Sequence, residues 1–165
     1  KAAPILLRRA VAYSTVQNLQ DAIEDLTSYI AVDSLSALPY WQRAVCKMKQ
    51  IDILSMGDTK RSEAIDMKLV TIIDDLCRAI DICPQSAYLY YNRANAHARR
   101  DDLSRAIDDY TKAIAIDANL AEAYYNRGLV YLRKKETEKA VADLSKAGER
   151  GLYKAYGIIK KYGQK

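Results

Sequence analysis

The chain has 165 residues, one ordinary domain's worth and enough to bury a core. Half of them are apolar and 28% are charged, a balance that excludes both an intrinsically disordered chain and a membrane-embedded one. The formal charge of +5 admits nucleic acid or an acidic partner without selecting either.

The chain opens on Lys1 rather than Met. It reads as a fragment of a larger protein from which any targeting segment has been removed, so the compartment stays open. No apolar run approaches the ~20 residues that a membrane helix needs, and no membrane insertion is expected.

A first helix is predicted from Pro4, which suits a first helical position because it lacks an N–H. It carries Leu6-Leu7-Arg8-Arg9-Ala10. A second helix follows Asn18, a residue type suited to an N-cap, and carries Glu24-Asp25-Leu26. The same two markers then recur. Tyr40-Trp41-Gln42-Arg43-Ala44 follows Pro39, and Asp74-Asp75-Leu76 precedes Pro84, where a helix cannot continue. Tyr90-Tyr91-Asn92-Arg93-Ala94 is followed by the cap Asp102 and by Asp108-Asp109-Tyr110. Tyr124-Tyr125-Asn126-Arg127-Gly128 comes 34 residues after its predecessor, and behind it stand the cap Thr137 and Ala142-Asp143-Leu144. Apolar and small residues recur around each marker at three- and four-residue steps, as helices require.

The spacing is regular with one exception. From Arg to Asp the interval is 16 residues in the first, third and fourth copies and 32 in the second; from each Asp to the next Arg it is 18. One insertion of 16 residues between Arg43 and Asp75 accounts for the difference. It spans roughly 50–71, with Met56-Gly57-Asp58 as its turn signal. The economical reading prolongs both helices by about two turns; a loop, open to cutting at Lys60 and Arg61, is the alternative. After Gly148 and Gly151, which are expected to break the last repeat, Leu152, Ala155, Tyr156 and Ile159 form an apolar stripe, with Lys154, Lys160 and Lys161 off it. This predicts a capping helix over 152–162.

A fixed period of this size indicates stacked helical hairpins. The four copies resemble the tetratricopeptide repeat family over about 3–152, nearly the whole chain. The small residues Ala10, Ala22, Ala44, Ala79, Ala94, Ala106, Ala113, Gly128, Ala140 and Ala147 match the family's close-packing places. Tyr40, Tyr90 and Tyr124 match its aromatic between helices. Leu6, Tyr29 and Ile72 depart from the pattern. The resemblance implies an all-α, right-handed superhelical solenoid. Its repeats would cover 3–36, 37–86, 87–120 and 121–151, with the cap behind them.

Each copy pairs an arginine with an aspartate: Arg9 with Asp25, Arg43 with Asp75, Arg93 with Asp109, Arg127 with Asp143. Many repeats of this family carry an apolar residue at the arginine. A charge facing a helix seam is costly unless paired, so a structural Arg–Asp ladder is expected. A row of anion-binding arginines is the functional alternative.

In proteins that resemble this family, the first helices line a concave groove for an extended peptide. Leu7, Trp41, Tyr91 and Tyr125 would form one rung of it and Gln42, Asn92 and Asn126 the next. Asn95, Arg99 and Arg133 would lie toward the helix ends. Rings supply area at small entropic cost, and carboxamides can pair with a peptide backbone. Basic residues gather on first helices (Lys47, Lys49, Arg99, Arg133) and acidic ones on second helices (Asp21, Asp74, Asp81, Asp108), which favours an acidic or neutral segment. Some relatives clamp the terminal carboxylate of chaperone tails. Here Trp41, Val45, Tyr88 and Glu122 stand where Lys or Asn would be needed, and Glu122 would repel a carboxylate, so no such clamp is expected.

The expected role is a protein-interaction scaffold rather than an enzyme, with another protein or peptide as partner. His97 is the one histidine and reads as a packing residue, without neighbours at metal-ligand spacing. Cys46, Cys77 and Cys83 have no metal-ligand spacing and read as buried structural thiols. On one helix Cys77 and Cys83 would stand ~9 Å apart, too far for a disulfide. No cofactor, metal or catalytic set is expected. Single-stranded RNA on the basic, aromatic groove and an oligomerisation module of a larger protein are the alternatives.

Overall fold

The structure is a computed structural model that describes Arg9, 18–55 and 63–162. Among these residues there are eight α-helices and no strand. They belong to two compact units, Lys1–Pro84 and Gln85–Lys165. The first holds α1 (Leu19–Val32), α2 (Ala37–Ser55) and α3 (Glu63–Ile82). The second holds α4 (Ala87–Arg99), α5 (Leu103–Ile116), α6 (Ala121–Arg133), α7 (Thr137–Glu149) and α8 (Lys154–Tyr162). No described helix is long and apolar enough to cross a membrane.

In the second unit α4 packs on α5, α6 on α7, α5 on α6 and α7 on α8, while α4 also touches α6. Small residues set the approach. Ala94, Ala106, Ala113, Ala140 and Ala147 are completely buried. At Gly128 a Cβ would stand 3.0 Å from Leu144 Cγ and 3.2 Å from the Ala140 carbonyl, so the α6–α7 seam is tight there and a methyl would require its neighbours to give by a few tenths of an ångström. Tyr124, Leu144, Ala147 and Ala155 form a core onto which Leu152, Ile158 and Ile159 pack, so α8 covers the end of the α6–α7 hairpin.

Helix ends in this unit repeat as well. Asp101 and Lys135 take left-handed φ values of 65° and 62°, and Gly151 takes 92°. Behind them the amides of Asp102, Glu136 and Leu152 donate to the carbonyls of His97, Tyr131 and Ala147 at 2.9–3.0 Å. That pattern satisfies carbonyls the helix leaves open and turns the chain back into the next helix.

In the first unit α2 packs against both α1 and α3. At 19 and 20 residues, α2 and α3 are longer than the 13- or 14-residue helices α4–α7. The chain is helical through 50–55 and again through 63–71, with Ile51 and Leu69 buried. Met56-Gly57-Asp58, Lys60 and Arg61 lie outside the described residues, as do Pro4, Leu6, Leu7 and Ala10.

All four arginines make two hydrogen bonds to the aspartate of their own copy. Nε donates to Oδ2 and Nη2 to Oδ1, over 2.5–3.0 Å, in Arg9–Asp25, Arg43–Asp75, Arg93–Asp109 and Arg127–Asp143. Every one of these aspartates is buried. Hydrogen bonding from Arg9 holds the Asp25 carboxyl below its ordinary range despite burial. Burial is the strongest single influence on Arg127 and works against its charge, but the hydrogen bond and charge of Asp143, with smaller help from Tyr131 and Tyr124, together keep that guanidinium's pKa above the usual value. The remaining Nη1 reaches the preceding hairpin: Arg43 donates to Thr27 Oγ1 at 3.0 Å and Arg127 to Thr111 Oγ1 at 2.8 Å. Arg43, Arg93 and Arg127 also lie 5.7–5.9 Å from the ring centres of Tyr40, Tyr90 and Tyr124, one helical turn earlier.

Several local expectations need correction. Gly148 does not break the last repeat; it is a buried residue inside α7, where a Cβ would come within 2.5 Å of the Tyr156 ring. The absent side chain makes room for that ring, and Tyr156, placed on the apolar stripe from sequence, is exposed elsewhere. Glu136, not Thr137, is the N-cap of α7, because the left-handed Lys135 turns the chain one residue sooner. Asn18 occupies its cap position but bonds the Asp21 side chain instead of a backbone amide, whereas Asp102 does accept from the Arg105 amide at 3.3 Å. Pro39 is the third residue of α2 and not the first, still among the positions whose N–H has no helical partner. Of the thiols Cys46 is buried, Cys77 half-buried and Cys83 exposed, the last because it follows the end of α3.

His97 is buried in α4, its Nε2 3.9 Å from Asp109 Oδ2. Burial lowers its pKa, against the pull of Asp109 and Asp102. The unfolded chain therefore binds this proton more readily than the native one. The stability involved is complete above the ordinary value of 6.5 and is lost as pH falls through it toward the folded value. In urea titrations, His97→Gln is expected to flatten that part of the stability–pH curve, and an unchanged slope would contradict the burial account. Gly148→Ala is expected to displace the exposed Tyr156 ring, so that less than the roughly 1 kcal/mol which a helix-interior Gly→Ala change contributes is gained, and combining it with Tyr156→Ala should release the full gain relative to Tyr156→Ala alone. Thermal melts showing the same gain from Gly148→Ala with and without Tyr156→Ala would refute the close contact.

Candidate peptide-binding surface

On α2, α4 and α6 the Tyr of the ring doublet nearest the partner helix is buried. Tyr40, Tyr90 and Tyr124 are of this kind, whereas Trp41, Tyr91 and Tyr125 are half-buried. A step of about 100° per residue accounts for the difference, since the second ring swings off the hairpin seam. Leu7, with Arg8 and Val11, lies outside the described residues. Trp41 and Gln42 stand on α2 in the first unit; the other surface residues stand on α4 and α6 in the second.

In the first unit Trp41 Nε1 and Gln42 Oε1 are buried atoms without a hydrogen-bond partner. Lys47, one turn beyond Arg43, donates to Asp75 Oδ2 at 2.8 Å and is thereby withdrawn from the surface charge.

In the second unit the face shared by α4 and α6 is more closely tied together than the sequence suggests. Asn126 Nδ2 donates to Asn95 Oδ1 at 3.0 Å and to Tyr91 Oη at 3.2 Å. Tyr110, buried in α5, donates its hydroxyl to the same Asn95 oxygen at 2.5 Å. The Tyr91 and Tyr110 ring centres lie 6.1 Å apart at an interplanar angle of 54°, a favourable tilted packing. Asn92 bonds back to the Tyr88 carbonyl of its own helix at 2.6 Å. Arg133 donates to the Ala98 carbonyl at 2.8 Å and to Asp101 Oδ1 at 2.6 Å, pinning the end of α6 to the end of α4. Arg99 is exposed. Lys154, from α8, holds its ammonium 4.5 Å from the centre of the Tyr125 ring. Glu122 is exposed on the first turn of α6.

The surface therefore combines fixed rings, an amide pair already committed to neighbouring side chains, and cations, with Arg133 paired to Asp101. Sequence reasoning missed Tyr110 as a member. Its marker position resembles the Leu of the other copies, and only the hydroxyl distinguished it. Lys154 was assigned to the polar side of a cap, with no signal for its contact with Tyr125.

A family model described as TPR repeat matches residues 99–135, a window running from the end of α4 through α6. No curated protein matches the chain significantly. Among solved structures, MamA superposes with a TM-score of 0.76 at 27% identity, over 93% of this chain and 81% of that one. The first TPR of Spaghetti (RPAP3), bound to the HSP90 peptide SRMEEVD, superposes at 0.65 and 24% identity, over 80% of this chain and 94% of that one. A monomeric mutant of IFIT1 with Gppp-AAAA superposes at 0.85 and 16% identity, over 96% of this chain and 38% of that one. With its helical hairpins, repeated markers and these likenesses, the chain is an all-α protein similar in fold to tetratricopeptide repeat structures, and the TPR repeat model matches it over residues 99–135.

Proposed function

We propose that the chain is a protein-interaction scaffold and that the α4–α6 face holds an extended peptide segment. The observation that carries this reading is the placement of Tyr91 and Tyr125. They are half-buried at equivalent positions of neighbouring first helices, while Tyr90 and Tyr124 serve the core. Rings held rigidly by their own surroundings offer contact area with little entropy left to lose. The peptide in the RPAP3 repeat domain supports this use of the fold. Trp41 and Gln42 are a half-buried ring and amide at the matching positions of the first unit, with Trp41 Nε1 and Gln42 Oε1 themselves buried.

The ligand is an acidic or neutral segment. Arg99 and Lys154 bring positive charge to the face, and Glu122 is its acidic element. Arg133 contributes less, because Asp101 already pairs with it. Glu122 and the absence of matching lysines argue against capture of a chaperone-type terminal carboxylate.

The test is selection of a random dodecapeptide library on the immobilised chain. A consensus is expected that is lost with Tyr91→Ala/Tyr125→Ala, with SRMEEVD not retained. Thermal melts would confirm that the variants stay folded. Binding of a selected peptide should change only modestly between low and high salt. If instead a single-stranded RNA oligomer binds with steep salt dependence while no peptide is selected, the reading falls.

A further inference from the structure

The proposed peptide face contains a chain of hydrogen bonds whose direction can be followed from its buried end. Burial pushes the Tyr110 hydroxyl's pKa up, so it stays protonated and serves as a donor. It donates to Asn95 Oδ1. That oxygen has two lone pairs, and the second accepts from Asn126 Nδ2. A carboxamide nitrogen carries two hydrogens, and the other one of Asn126 goes to Tyr91 Oη. The Tyr91 oxygen is thus an acceptor toward Asn126, and its own hydrogen has to turn elsewhere.

We infer that the Tyr91 hydroxyl is an outward-facing donor, set in direction by Tyr110, Asn95 and Asn126, and that it takes the carboxylate of an Asp or Glu side chain in the bound peptide. This rests on the peptide reading and names the residue class that the face selects. Two features favour a carboxylate over a neutral acceptor. A hydroxyl bonded to an ionised oxygen makes the stronger hydrogen bond. Arg99, four residues beyond Asn95 on the same face of α4, adds positive charge beside the network, while the charge of Arg133 is shared with Asp101. Tyr91 is half-buried with its ring braced on Tyr110, which spares the ligand the entropy of ordering it. Tyr91 touches the ligand; Tyr110, Asn95 and Asn126 are positioning residues.

Tyr91→Phe removes the hydroxyl and keeps the ring, so the fold and the apolar contacts are retained. Dodecapeptide selection on the native chain is expected to fix an Asp or Glu at one position, and selection on Tyr91→Phe to keep the apolar consensus without it. A peptide selected on the native chain should bind Tyr91→Phe roughly ten- to a hundredfold more weakly. Its own Asp→Ala or Glu→Ala form should bind both chains alike. An acidic position kept on Tyr91→Phe, with unchanged affinity, would overturn the inference and leave the peptide reading standing. Failure of the native chain to select any peptide would overturn both.

Discussion

A guanidinium held by a buried carboxylate is the constraint from which the rest of this structure follows. In each copy the arginine comes from the first helix and the aspartate from the second, and two parallel hydrogen bonds leave little freedom in their relative rotation. Such a pair does not necessarily stabilise a protein more than a well-packed apolar pair would. Its effect is specificity of register. An aspartate buried without its arginine is costly, so alternative pairings of near-identical helices are disfavoured. Two of the arginines extend the constraint with Nη1 to a threonine of the preceding hairpin, Arg43 to Thr27 and Arg127 to Thr111. One side chain then sets both the pairing within a hairpin and its stacking on the one before. The tyrosine one turn earlier flanks the same guanidinium, which gives Tyr40, Tyr90 and Tyr124 a second duty beyond filling the core.

With the hairpins registered in this way, the residue after each buried tyrosine is carried off the seam. Tyr91 and Tyr125 become surface rings without any special feature of their own. The polar network among Tyr91, Asn95, Tyr110 and Asn126 then ties α4, α5 and α6 together beneath them. Rigid rings and oriented polar groups suit recognition of a flexible segment, because the ordering cost falls on one partner only.

The fold class and the family resemblance were legible because the evidence for them is repetition. Four copies of a pentad and four of an acidic marker, with one length irregularity, leave few architectures open. The alanines were readable for the same reason. What escaped depends on contacts distant in sequence. Gly148 looked like punctuation because a glycine that ends a helix and one that admits a neighbouring ring are the same letter; Tyr156 decides between them. Asp101 and Lys135 end helices in the left-handed region where glycine is the usual signal, so no residue type announced those turns. On the candidate surface, the half-buried rank of Tyr91 and Tyr125 follows from the helical step. The mutual commitment of Asn95 and Asn126 could not be read, since it depends on α4 and α6 lying side by side with Tyr110 behind them.

The most direct test of the account is a double-mutant cycle on Arg127 and Asp143, the pair in which both side chains are most deeply enclosed. Urea unfolding of Arg127→Met, Asp143→Leu and the double variant would measure their coupling. The account predicts that each single substitution destabilises the chain by about 3 kcal/mol or more and that the double variant regains a large part of the loss, with a coupling of about 1–3 kcal/mol. Single losses that simply add, with no coupling, would contradict it.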